Sequence, residues 1–164
     1  MKFRAMFVGL SAACCLALGT SLVVRAQSAP LLDLATFAQS SVDVGSGAHR
    51  QHFEVWIAAS PAQQTQGLMF VRDLPASRGM LFPEPEPRPI SFWMKNTYIE
   101  LDLLFIGPDH RVAKIAARAP PLSLALINSD GPVIAVLEIK GGEAERRGIH
   151  VGDAANWQAL APAP

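Results

Sequence analysis

The chain has 164 residues, half of them hydrophobic, with 14 Lys and Arg against 14 Asp and Glu. That balance excludes the basic footprint of a nucleic-acid-binding protein and the acidic run of a solvating tail. Its 13 prolines and 12 glycines point to many turns and short elements rather than long helices.

Met1-Lys2-Phe3-Arg4 is a basic start, and Ala5 to Val24 is apolar apart from interspersed Gly, Ser, Thr and Cys. Val24-Arg25-Ala26 then places small residues where signal peptidase reads them. The pattern predicts a signal peptide over residues 1–26, cleaved after Ala26, and a periplasmic or secreted protein. The alternative is an uncleaved anchor, since about 20 apolar residues can span a bilayer. A lipid-attached Cys14 fits poorly, because Ser11 stands where such a signal wants leucine. Losing Lys2, Arg4 and Arg25 leaves 11 basic against 14 acidic side chains, a net charge of about −3. Cleavage also removes both cysteines, so the mature chain relies on its core rather than a disulfide. The remaining length of about 138 residues suits one domain.

Residues 27–48 are rich in Ala, Ser and Leu, show no sustained period, and read as a flexible lead-in with a brief helix near Asp33 to Ala38. A single β-rich domain is expected over 49–160. His52 to Ile57 alternates as a strand with Phe53, Val55 and Ile57 inward. Ser60-Pro61-Ala62-Gln63 is a helix start, with Ser60 as cap, Pro61 in the first turn and Gln63 closing a capping box. Gly67 should end that helix. Leu68-Met69-Phe70 then enters the core, Asp73-Leu74-Pro75 turns, and Gly79 to Phe82 forms a short strand.

The four prolines between Pro83 and Pro89 predict a polyproline-like loop. Phe92 to Tyr98 reads as extended, and Leu101 to Ile106 as a central strand covered on both faces. Gly107 to His110 turns into an antiparallel partner over Arg111 to Ala116. Asn128 to Pro132 is a turn before Val133 to Ile139, the cleanest buried strand. Glu143 to Gly148 suits one or two helical turns, with acids early and bases late. A last strand is expected at Asn156-Trp157, and Ala161 to Pro164 should fray. The predicted class is mainly β, a β-rich α+β fold: a small antiparallel sandwich or partly open barrel with one or two short helices.

Six motifs occur in a familiar order: Gly67-Leu68-Met69-Phe70, Gly79-Met80-Leu81-Phe82, Phe92-Trp93-Met94-Lys95-Asn96-Thr97, Leu101-Asp102, Val136-Leu137-Glu138 and Gly148-Ile149-His150-Val151-Gly152-Asp153. Over Phe53 to Trp157 the chain resembles the bacterial and archaeal "domain of unknown function 192" family. The resemblance implies a small, mainly β domain, often behind a signal peptide or anchor, and no established activity. Family members usually carry proline where Glu100 stands. That departure predicts a less rigid turn with a carboxylate near Lys95.

Lys95, Asn96, Thr97, Asp102, Glu138 and Asp153 include the groups of an acid–base pair, should they converge. The competing structural reading pairs Lys95 with Asp102 or Glu138 and leaves Asn96-Thr97 to hold a turn. No catalytic residue can be named from the sequence. No serine sits in a nucleophile motif, and no histidine pair has metal-site spacing. Met69, Met80 and Met94 are flanked by large apolar residues, which favours core packing over a soft metal site. No metal site or cofactor is expected. Trp93 with Lys95, Asn96, Thr97, Asp102, Glu138, Asp153 and Arg72 forms the candidate ligand-binding set, an aromatic face with polar groups to fix orientation. Arg72 and Arg78 flank the Asp73 turn, and Tyr98 is a second aromatic candidate.

The leading functional expectation is a non-enzymatic envelope module that binds a small ligand or a protein. The runner-up is a small periplasmic enzyme using Lys95 with Asp102 or Glu138. A structural partner in an envelope assembly is the third. Nucleic acid is not expected as a partner, and a membrane only through an uncleaved N-terminal segment.

Overall fold

Alternation places Val42, Val44, Phe53, Val55 and Ile57 on one side of two paired strands, all at most 1% exposed. These strands are β1 (Ala38–Val44) and β2 (Gln51–Ile57), antiparallel, with Val42 opposite Phe53. The computed structural model describes residues 30–158. The expected signal peptide and the terminal residues 161–164 lie outside them.

The expected lead-in over 27–48 is corrected from residue 38 onward. Residues 38–44 form β1, because Val42 and Val44 each bury completely against β2. Two apolar residues at period two suffice when a neighbouring strand already offers a hydrophobic face. The brief helix expected at Asp33 is a single 3-10 turn over Leu34–Thr36, capped by Asp33.

The capping box at Ser60 forms as predicted and starts α1 (Pro61–Gln66), which ends at Gly67 with φ 49°. After it comes β3 (Arg78–Arg88), parallel to β2, with Trp56 opposite Met80. Parallel neighbours need a crossover, and here α1 and residues 67–77 supply it. Leu68 in this crossover is buried, whereas Phe70 stays 39% exposed rather than entering the core. The 83–89 stretch differs from the expected loop. Through Arg88 it continues β3, pairing with the later strand β8 (Val133–Lys140) at Pro83 and again at Arg88, across a register shift. Beyond Leu81, β3 has no ladder to β2, so the prolines leave no donor missing on that side.

The expected extended run over Phe92 to Tyr98 is also corrected. Only Ser91–Phe92 is strand (β4), and it pairs with β7 (Ile127–Asn128). The chain then turns at Lys95-Asn96, closed by the Thr97 N–H donating to the Met94 carbonyl at 3.1 Å. Asn96 takes φ 56°, a left-handed conformation that asparagine tolerates better than most residues.

β5 (Leu101–Ile106) is buried at every position and lies between β6 (Val112–Ala119) and β8. After β8 come α2 (Glu143–Arg146) and β9 (Ala155–Trp157). The main sheet runs β6-β5-β8-β3-β2-β1-β9. Its two edges approach each other where Val112 N–H meets the Asp153 carbonyl at 2.9 Å and Ala155 N–H meets that of His110 at 2.8 Å. This is the partly open barrel form rather than a sandwich, since one sheet curls on itself. The inner face holds Phe53, Leu81, Leu104 and Leu137. The outer face holds Met80, Phe82, Leu103, Phe105 and Val136, covered by Leu68, Ile90 and Met94. A sheet apolar on both sides explains why β5 and β8 read as nearly continuous hydrophobic runs.

Candidate functional site

Glu138 sits in mid-β8 on the outer face, directly between Met80 of β3 and Leu103 of β5. It is 4% exposed. Apolar neighbours on both sides offer no donor. Among the described residues no hydrogen bond or ion pair reaches its side chain. Burial alone pushes its carboxyl up to about 8, because an uncompensated charge is disfavoured there. Gly79 allows this close packing, since a Cβ there would collide with the Glu138 carbonyl oxygen.

Above Glu138 lies a cavity of about 500 Å³. The sheet residues Glu138 and Phe82 form its floor. One wall is α1 with Gln64 and the turn after it with Gly67 and Met69, and the other is the segment from Arg88 through Phe92 and Trp93 to Lys95 and Thr97. The crossover between parallel β2 and β3 brings α1 there, and the Lys95-Asn96 turn brings the opposite wall. Phe92 stands edge-on to Phe82 at 5.0 Å and to Phe105 at 6.3 Å, which anchors that wall to the sheet.

Two charge patterns differ across the cavity. Glu84 holds Arg88 in an ion pair, so that cation is already matched. Lys95 has no carboxylate partner among the described residues; its Nζ instead lies 5.1 Å from the Trp93 ring centroid. Trp93 is 44% exposed, so lysine and indole form the cavity mouth while the carboxyl lies at its base. The arrangement can take a small ligand apolar in its middle and polar at both ends.

The family model described as Uncharacterized ACR, DUF192, matches residues 42–157. The chain belongs to the DUF192 family. A solved structure from Novosphingobium aromaticivorans, of a protein of unknown function, is 38% identical, with a TM-score of 0.73, covering 85% of this chain and 99% of that one. Another, a Sinorhizobium meliloti protein provisionally described as a transcription regulator, is 38% identical with a TM-score of 0.71, covering 74% and 95%. No curated protein matches.

Within this DUF192 domain, four of the eight residues singled out from the sequence share the cavity: Trp93, Lys95, Thr97 and Glu138. Asn96 does not line it, but its left-handed turn carries Lys95 and its carbonyl accepts from the Phe70 N–H at 2.8 Å. Asp102 faces the other side of the sheet. Its carboxylate accepts the backbone N–H groups of Arg118 at 2.8 Å, Gly142 at 2.9 Å and Ala144 at 2.8 Å, which ties β5 to β6 and to the start of α2. It is structural and, contrary to expectation, does not pair with Lys95. Asp153 likewise belongs to a turn, where Oδ2 accepts from the His150 N–H at 2.8 Å. Arg72 lies over the Tyr98 ring at 4.8 Å, outside the cavity. Arg78 packs over Trp56 at 4.4 Å and donates to Gln39.

Glu100 does not approach Lys95 as an ion pair; its carboxylate lies 3.8 Å from Arg118. Met80 and Met94 are fully buried as core residues, and Met69 is a cavity wall. Among the described residues no group of three His, Cys, Asp or Glu is placed to hold a metal. Gln64, Met69 and Phe92 stand outside the expected binding set; for Gln64, nothing local to α1 reports that it stands over Glu138.

Proposed function

We propose that this DUF192 protein is an exported small-ligand-binding module of the cell envelope, with the cavity over Glu138 as its ligand site. One observation carries the reading: a carboxyl buried in an apolar row, without a donor, lines a cavity of about 500 Å³. Polar side chains set among apolar neighbours are nearly always partnered, and the only open side of this carboxyl is the cavity. A ligand that hydrogen-bonds to it there accounts for a carboxyl in this apolar row. Nothing in the domain supports carrying over a regulator's role, because the charge balance offers no basic footprint.

The test is an unbiased fragment screen by NMR on the purified protein, read at the Trp93 indole and the Glu138 carboxyl carbon. Fragments that shift both signals in wild type, and lose affinity in Glu138→Gln, support the reading. Fragments that bind elsewhere on the protein, with these two signals silent, sink it. Export is tested separately by cell fractionation with N-terminal sequencing, where a mature chain starting at Gln27 is expected.

A second reading has one specific observation in its favour. Lys95 and a carboxyl held at about 8 share the cavity, the composition of an acid–base site. Recovery of a bound compound chemically changed, in wild type but not in Glu138→Gln, would decide for the enzyme.

A further inference from the structure

We infer that the cavity takes a small zwitterion of the amino-acid class, its ammonium group against Glu138 and its carboxylate at Lys95. This rests on the ligand-binding reading above and names the chemistry of that same site. Glu138 is 4% exposed, and its neighbours in the sheet, Met80 and Leu103, have no N–H or O–H to offer from their side chains. Any partner for its carboxyl therefore reaches it from the cavity side. Of the charged groups lining the cavity, Glu84 and Arg88 already satisfy each other. That leaves one acid at the base and one unpaired cation, Lys95, at the mouth.

A ligand with a single charge would match one of these and leave the other as it is. A neutral polar ligand could hydrogen-bond to the protonated Glu138 but would leave the Lys95 charge unmatched. Opposite charges at the two ends of a short apolar chain match both, with Phe92 and Met69 along the middle. An ammonium group is the donor that gains most here, since a charge-assisted bond is stronger than a neutral one.

The inference has a directional consequence with pH. Free Glu138 keeps its proton up to about 8, whereas the ammonium-bound form requires the carboxylate. Affinity for an amine should then rise about tenfold per pH unit below that value and level off above it. Lys95, Arg88 and Glu84 are the other charged groups lining the same cavity.

The experiment titrates the purified protein with glycine, γ-aminobutyrate and 6-aminohexanoate, alongside butylamine, butyrate and butanol, following by NMR the Trp93 indole in every variant and the Glu138 carboxyl carbon where it is present. One of the three zwitterions should bind tightest, and butylamine should exceed butanol by about tenfold, the size of one charge-assisted hydrogen bond. Glu138→Gln should remove that advantage, while Lys95→Met should weaken the zwitterion and leave butylamine unchanged. Butyrate or butanol equal to butylamine, amine binding unaffected by Glu138→Gln, or silence towards every amine would each overturn the inference. Neutral fragments that still shift the Glu138 signal would then keep the cavity as a binding site. Silence towards those as well would end both readings.

Discussion

Asp102 and Glu138 are buried carboxyl side chains on neighbouring strands that point to opposite faces of one sheet. Asp102 stands opposite Ile139, and Glu138 opposite Leu103, one step along the same ladder. That step decides their roles, because successive side chains on a strand alternate faces. The inner face gives Asp102 three backbone donors. The outer face gives Glu138 a cavity and no donor.

Asp102→Ala should be among the most destabilising single changes in the domain. It strands three backbone N–H groups, each bond to a charged acceptor contributing about 1.5–3 kcal/mol. A loss of about 3 kcal/mol or more is expected by urea denaturation. Asp102→Asn should fall between, since one oxygen can still accept from Arg118 and Gly142 while Ala144 loses its acceptor. Equal stability of Asp102→Ala and wild type would refute the structural role.

Glu138→Gln should behave in the opposite way. The folded carboxyl is raised from 4.5 to about 8, so between those values the folded state holds a proton that the unfolded state has released. The stability associated with this group is therefore fully present below about 4.5 and falls progressively as pH rises toward 8. The full span is at most about 5 kcal/mol at 1.36 kcal/mol per unit. Glutamine mimics the neutral form, so the variant should match wild type near pH 4.5 and exceed it near pH 8. Denaturant midpoints of both proteins at the two pH values check this, and parallel pH profiles would contradict it.

Asn96→Ala should lower stability by about 1 kcal/mol, the penalty for a Cβ in the left-handed region, whereas Asn96→Gly should be close to neutral. Thermal midpoints should separate the two variants by several degrees. If alanine and glycine behave alike, the φ of 56° is not what selects asparagine.

Lys95→Ala should leave the melting temperature nearly unchanged, because the side chain is exposed and has no ion pair among the described residues. Its ammonium lies over an indole that is itself 44% exposed, an arrangement contributing about 0.5–1 kcal/mol. A drop of more than a few degrees would make Lys95 a stabilising residue rather than a ligand contact. The pair Lys95→Ala and Asn96→Ala thus separates the residue that meets the ligand from the one that holds it in place.

Local chemistry determined much of this protein before any tertiary contact is considered. The capping box at Ser60, the inward set Phe53, Val55 and Ile57, and the doubly buried β5 and β8 all follow from neighbours a few residues apart. The family's motifs were equally legible, and so was the suspicion attached to Lys95, Thr97 and Glu138. Tertiary structure alone decided that residues 38–44 join the sheet, that the prolines after Phe82 continue β3, and that Lys95-Asn96 is a turn rather than a strand. It also decided that Asp102 and Glu138 part company while Trp93, Lys95 and Glu138 share a cavity. The reason is physical: capping and periodicity are short-range, whereas a strand's face acquires its environment from partners some 35 to 60 positions away, such as Leu103 and Met80 beside Glu138. No window of sequence around Glu138 contains the apolar row that leaves its carboxyl without a donor.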